Sequence, residues 1–204
     1  MNVVLNDKQT QDKPGVHPQK FALWLALASM TMFFAALTSA VLVKKGDYKV
    51  WENFRLPSIF LYSTLVVVGL SGVIHFALIS YRKAQFTRFR WLMFFSFLLG
   101  CLFLGLQYTG WIALQNMGFP LTGNVAGSFI YIITASHGAH IVGGLVAMLV
   151  FLYQAVRSRK DELYELRNII NPKRELYLEM LVTFWHYIDI VWVYLYVFLL
   201  VNYQ

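Results

Sequence analysis

The sequence predicts an all-α fold, a polytopic membrane helix bundle with five transmembrane helices. Three observations predict it. The chain has 204 residues, 58% of them hydrophobic and 17% aromatic, more apolar surface than a soluble domain can hide. Those residues gather in five runs, about 21–43, 57–81, 91–115, 126–156 and 176–202, each long enough to cross a hydrocarbon core of roughly 30 Å. The runs lack the dyad alternation that barrel strands of about ten residues would carry. The net charge of +7 then reports topology rather than nucleic-acid binding, because Lys and Arg sit in connectors.

Residues 1–20 read as a polar cytoplasmic tail, with Pro14, Gly15 and Pro18 breaking regular structure. This stretch has no apolar region leading to a cleavage site, so no removable signal peptide is expected. Residues 21–204 read as a single five-helix transmembrane domain. The first helix is uncharged, and Ala28, Ala35, Ala36, Ser39 and Ala40 give it a small-residue side suited to close packing. The following loop carries Trp51 at the expected membrane interface.

The second helix opens on Pro57, acceptable in a first turn, and offers Ser63, Thr64, Ser71 and Gly72 for packing. It also holds His75, expected to be a partnered packing residue. Tyr81–Arg90 forms a basic connector. In the third helix Gly100, Cys101 and Gly105 suggest a thin side, Cys101 is expected to be a small buried hydrophobe, and Gln107 needs a hydrogen-bond partner. The fourth run, about 46 Å if fully helical, must tilt or project. Arg157–Tyr177 is the most charged connector and suggests a surface-lying or projecting helix before Asn171-Pro172 restarts the chain. Thirteen of the 17 Lys and Arg residues fall on the side of the N-terminus, so the N-terminus is expected in the cytoplasm and the C-terminus outside.

The last run carries the chemistry. Glu175, Glu179, Val182, His186, Asp189, Val193 and Tyr196 are spaced by three or four, so they share one helix face. Ionisable groups in hydrocarbon are costly and face a protein interior or a wet site. This face could lock the helix to a neighbour, bind headgroups at its shallow end, or form a proton relay or metal site. His137 and His140, at i and i+3 on the fourth helix, also share a face. They could ligate one metal if His186 or Asp189 supplied a third group. Gly138, Gly143 and Gly144 beside them favour close helix contact instead.

Two stretches resemble a known family. SHGAHIVGG, from Ser136 to Gly144, is similar to the H-G-x-H-V-x-x-G signature of haem–copper oxidase subunit III. EMLVTFWHYIDIVWVYLY, from Glu179 to Tyr196, resembles that family's last helix, E-x6-H-(F/Y)-x-D-x-V-W-x-x-L-Y. Weaker similarities cover Ala28–Phe34, Tyr62–Thr64, Leu99 through Gln107 to Trp111, and Gly127–Phe129. The resemblance extends from Lys20 to near the end of the chain and is to the short bacterial form of five helices.

The resemblance implies a multi-pass subunit of a proton-pumping cytochrome c oxidase in a bacterial inner membrane. It implies no catalytic residue, haem, copper or other metal in this chain, with haem and copper held by partner subunits. The expected partners are oxidase subunit I directly, subunit II, and membrane phospholipid in a cleft between helix bundles, with a larger respiratory supercomplex left open. Support of proton uptake and resistance to turnover inactivation belong to the same expectation. His137, His140, Glu179, His186 and Asp189 match the family's polar positions and imply packing and lipid-contact roles, with His75 and Gln107 as additions. A quinol oxidase or a nitric-oxide-reductase accessory subunit is the alternative, and a stand-alone transporter or metal-binding membrane protein a remote one. Two family carboxylates are missing, at Met30 and Gly110, which favours a structural or lipid-binding role over proton transfer.

Overall fold

The structure, a computed structural model, describes residues 17–46, 55–122, 124–157 and 172–203. It contains α1 (Pro18–Lys45), α2 (Ile59–Arg82), α3 (Phe86–Asn116), α4 (Val125–Arg157) and α5 (Pro172–Tyr203). All five are long and apolar enough to cross a membrane. Most of the tail, Trp51 and most of the Arg157–Tyr177 connector lie outside the described residues.

Local chemistry sets the ends. Pro18 and Pro172 stand in first turns, where a missing N–H costs nothing. α2 ends in a Schellman turn: Gln85 N–H donates to Ser80 O (2.9 Å) and Ala84 N–H to Tyr81 O (3.0 Å). Ala84 takes the left-handed position, with φ of 54°. α3 ends in the same way around Gly118, at φ 89°, with Phe119 N–H bonded to Leu114 O at 3.1 Å.

The first of these turns corrects the expected Tyr81–Arg90 connector. The non-helical link is Lys83-Ala84-Gln85, and α3 resumes at Phe86. Arg88 and Arg90 extend the helix beyond its apolar stretch, since charge stops a hydrophobic run without stopping a helix.

α2, α3, α4 and α5 pack successively into a closed ring, and α1 lies outside it against α4 and α5. Two tryptophans of α5 fill the ring. Trp185 is fully buried, and its indole lies against Gly100 of α3 and Gly144 of α4. A Cβ at Gly144 would stand 2.9 Å from the Phe184 ring and 3.0 Å from Trp185. Two turns on, Trp192 meets Phe103 (ring centroids 5.0 Å) and His137 (4.9 Å), and donates its Nε1–H to Thr64 at 3.0 Å.

Three packing expectations need correction. α1 buries Leu27, Met30, Phe34, Thr38 and Val41, whereas Ala28, Ala35, Ala36 and Ser39 are exposed. Bulky residues fill the gap between α1 and the ring, so its small side faces away. Cys101 is exposed rather than buried. The thin side of α3 reduces to Gly100, because a Cβ added at Gly105 would meet nothing within 4 Å; five residues of spacing put the two on different faces.

Candidate functional site

The polar face of α5 follows α2. At the end near the start of α1, Arg82 bonds Glu175 through Nε (3.0 Å) and Glu179 through Nη2, while Lys20 of α1 pairs with Glu179 at 2.9 Å. These four groups tie α1, α2 and α5 together. A network of this kind holds geometry better than an isolated surface pair.

Deeper on the same face, His186 Nδ1 shares a 2.6 Å hydrogen bond with Ser71 Oγ of α2, and its Nε2 lies 3.4 Å from His75 Nδ1. Asp189 is 4% exposed, its carboxyl enclosed within the subunit beside the Ser71 hydroxyl. The four residues line a groove of about 670 Å³ between α2 and α5, walled by Val68, Phe76 and Ile190. His186 sits about 21 Å from the start of α5 and about 26 Å from its end, inside the membrane-spanning stretch.

A second cleft, of about 850 Å³, opens between α1, α4 and α5. Lys173, Arg174 and Tyr177 stand at its mouth, and Gly143, Ala147 and Phe184 line it toward His140. His140 Nδ1 is joined to Ser136 O at 2.7 Å. His137, one turn away, points elsewhere. It is fully buried, enclosed by Phe34, Phe103 and Trp192, with neither ring nitrogen bonded.

The expected residues therefore divide into three places. His75, His186 and Asp189 meet in the α2/α5 groove, His140 faces the other cleft, and His137 lies in the core. Glu179 joins the ionic end of α5. Gln107 is buried on α3, donating to Ser63 Oγ at 3.1 Å and leaving its Oε1 unpartnered. Among the described residues no three His, Cys, Asp or Glu side chains gather to hold a metal ion, and the postulated His137–His140–His186 set is not brought together.

A family model described as cytochrome c oxidase subunit III matches residues 17–203. The chain belongs to that family. It is 26% identical over 191 residues to a cytochrome c oxidase subunit 3 of Thermostichus vulcanus, covering 90% of this chain and 88% of the relative. With a cytochrome c oxidase subunit 3 of Bacillus subtilis it shares 28% identity over 178 residues, 85% of this chain and 81% of the relative. A cytochrome bo(3) ubiquinol oxidase subunit 3 of Pseudomonas aeruginosa is 30% identical over 179 residues, 85% and 79% of the two chains. As a subunit III, the chain is a multi-pass membrane component of an oxidase complex and associates with other oxidase subunits.

The structure gives a physical setting to Met30 and Gly110, where the resemblance led us to expect carboxylates. Met30 is buried in the apolar core. At Gly110 the Phe60 ring occupies the space a side chain would need, 3.2 Å from an added Cβ. This subunit III fills both places with hydrocarbon.

Sequence reasoning missed the attachment of α1 to α5. The two run parallel and are stapled at four levels: Lys20–Glu179, Thr31–Tyr187 (2.5 Å), Thr38–Tyr194 (3.1 Å), and Lys45 to the Asn202 carbonyl (2.6 Å). Tyr187 also donates to Leu27 O at 2.9 Å. The α5 partners recur every seven or eight residues, the spacing that keeps two parallel helices in register. That period was a usable signal, but no local feature named α1 as its partner.

Proposed function

We propose that this chain is a non-redox, non-catalytic subunit III of a respiratory cytochrome c oxidase in a bacterial inner membrane. Its N-terminus is cytoplasmic and its C-terminus periplasmic. It packs directly on catalytic subunit I beside subunit II, stabilises subunit I through turnover, supports its proton uptake, and holds phospholipid. Haem and copper belong to the partner subunits. The observation that carries this reading is the match of residues 17–203 to the cytochrome c oxidase subunit III family. The α1/α4/α5 cleft supports the lipid role, because its apolar walls suit acyl chains and Lys173 and Arg174 suit a phosphate at the mouth.

The test is purification of the chain from its native membranes in mild detergent, with a reduced-minus-oxidised spectrum, metal analysis and phospholipid extraction. Haem, copper and phospholipid are expected in the complex, with haem and copper absent from the separated chain. Recovery of the chain alone and colourless, or metal retained by the isolated chain, would overturn the reading. The 30% identity to a ubiquinol oxidase subunit 3 supports a second reading, in which the complex oxidises quinol. Turnover with reduced cytochrome c against turnover with a quinol separates the two.

A further inference from the structure

Between Glu52 and Asp161 the chain contains no acidic residue. The basic residues around the start of α3 therefore have no carboxylate near them in sequence. Across the bundle, Glu175 and Glu179 of α5 reach this end, and Arg82 and Lys20 already engage them. Among the described residues Lys83, Arg88 and Arg90 form no ion pair. Lys83 and Arg88 are exposed and Arg90 is half-buried. Arg90 Nη2 donates to Thr87 Oγ1 at 3.2 Å, which uses one of the five N–H groups of its guanidinium. Two hollows meet at these residues. An outer one of about 520 Å³ lies along the first turn of α3, beside Gln85, Thr87, Arg88 and Arg90. An inner one of about 710 Å³ enters the crevice between α3 and α4, walled by Trp91, Phe94, Leu152 and Val156. Thr87, Arg90 and Trp91 border both, so a cationic hollow opens directly into an apolar one. Phe94, Leu98 and Leu102, all exposed and spaced by four, carry the apolar wall further along α3. On α4 the side of Leu152 and Val156 is turned away from the side of Gly143, Ala147 and Gln154, which lines the cleft against α1 and α5.

We propose that the α3/α4 crevice binds one anionic phospholipid, its phosphate on Arg88 and Arg90 and an acyl chain along Trp91, Phe94 and Leu152. Chemistry selects the occupant. Guanidinium groups match phosphate oxygens with paired hydrogen bonds, and three cations without a carboxylate favour a headgroup of net negative charge. A zwitterionic headgroup brings a cation of its own toward Lys83, Arg88 and Arg90. A free phosphate would use the outer hollow and leave the apolar one unfilled. Trp91 marks the level at which headgroup and hydrocarbon meet. The site goes beyond the oxidase reading, whose phospholipid lies in the α1/α4/α5 cleft, and its failure leaves that reading standing.

The experiment purifies the chain through a tag, with whatever subunits accompany it, and strips it of lipid. Phosphatidylglycerol and phosphatidylcholine are then titrated back and counted by native mass spectrometry. The double variant Arg88→Gln, Arg90→Gln is expected to weaken one phosphatidylglycerol site by about tenfold or more and to leave phosphatidylcholine unchanged. The loss should add to that of Arg174→Ala, which acts in the other cleft, and inorganic phosphate should not displace the lipid. In parallel, Phe94→p-benzoylphenylalanine, at a crevice position that is 39% exposed, is irradiated in native membranes. Anionic phospholipid is expected among its crosslinks in excess of its share of the membrane. Unchanged phosphatidylglycerol binding, equal loss of both lipids, or no further loss in the Arg174→Ala background would overturn the proposal. So would displacement by phosphate, or crosslinks to protein or mainly to neutral lipid. If the double variant yields no intact protein, the crosslink alone decides.

Discussion

Two depressions flank α5, and they place their polar atoms at different depths. The α1/α4/α5 cleft carries Lys173 and Arg174 at its mouth and then runs along apolar residues toward His140. The α2/α5 groove has aliphatic and aromatic walls and gathers Ser71, His75, His186 and Asp189 within the helical span. A phospholipid has that first arrangement built into it, charge at the surface and hydrocarbon below. A membrane protein can offer the second, because helices carry polar side chains to any depth. Equal-looking hollows on one subunit therefore differ in where along their length they offer polar atoms.

The largest effect that tests this distinction comes from adjacent glycines in the cleft. Gly144→Leu would drive its side chain into Phe184 and Trp185, so the core behind the cleft must shift at a cost of roughly 1–3 kcal/mol or more. A fall in the thermal midpoint of the purified complex is expected. An unchanged midpoint would mean that Trp185 does not bear on Gly144. Gly143→Leu points into open cleft space, with nothing within 4 Å of its Cβ. It should leave the midpoint in place and lower the phospholipid recovered per complex, as counted by native mass spectrometry. If lipid counts hold, acyl chains do not use that wall.

A smaller effect is expected at the mouth. Arg174, whose guanidinium lies 5.9 Å from the centre of the Tyr81 ring, is the subject of Arg174→Ala. That change should weaken retention of anionic phospholipid by a few-fold, about 1 kcal/mol per basic residue near the surface. Neutral lipid should be affected less. Equal loss of both would assign Arg174 to packing rather than headgroup recognition. The smallest change expected is at the α1 staples. Tyr187→Phe removes the hydrogen bonds to Thr31 and Leu27 and should cost about 1 kcal/mol. Limited proteolysis at the α1 end would reveal it, and unaltered protection would show the staple to be dispensable.

The five spans were legible because length and apolarity alone set them. The polar stripe on α5 was legible because ionisable residues repeated every three or four positions inside hydrocarbon. Periodicity identifies a face but not its direction. For that reason α1's small residues and Cys101 were expected inward and lie outward. The split of His137 from His140 escaped the same logic: both rings touch Phe34, but His137 turns into the core against Phe103 and Trp192 while His140 reaches the cleft. Long-range partners were not legible at all. Nothing near Gly110 announces that Phe60 lies on it, and Thr31 gives no hint of Tyr187, 156 residues away.

The stapling of α1 to α5 bears on the order in which the chain is made. Among the five helices α1 leaves the ribosome first and its partner α5 last. During that interval Thr31 can bond Leu27 O (2.9 Å) and Thr38 can bond Phe34 O (3.0 Å) within α1 itself, while Lys20 and Lys45 sit at its ends, within reach of water. The first span is thus self-sufficient in lipid and can wait. α5 is not, since its carboxylates and tyrosines draw on groups of the earlier helices. Insertion of α5 is the step that closes the ring, and a nascent chain that stops before Pro172 leaves its first helix resting on α4 alone, without its four staples.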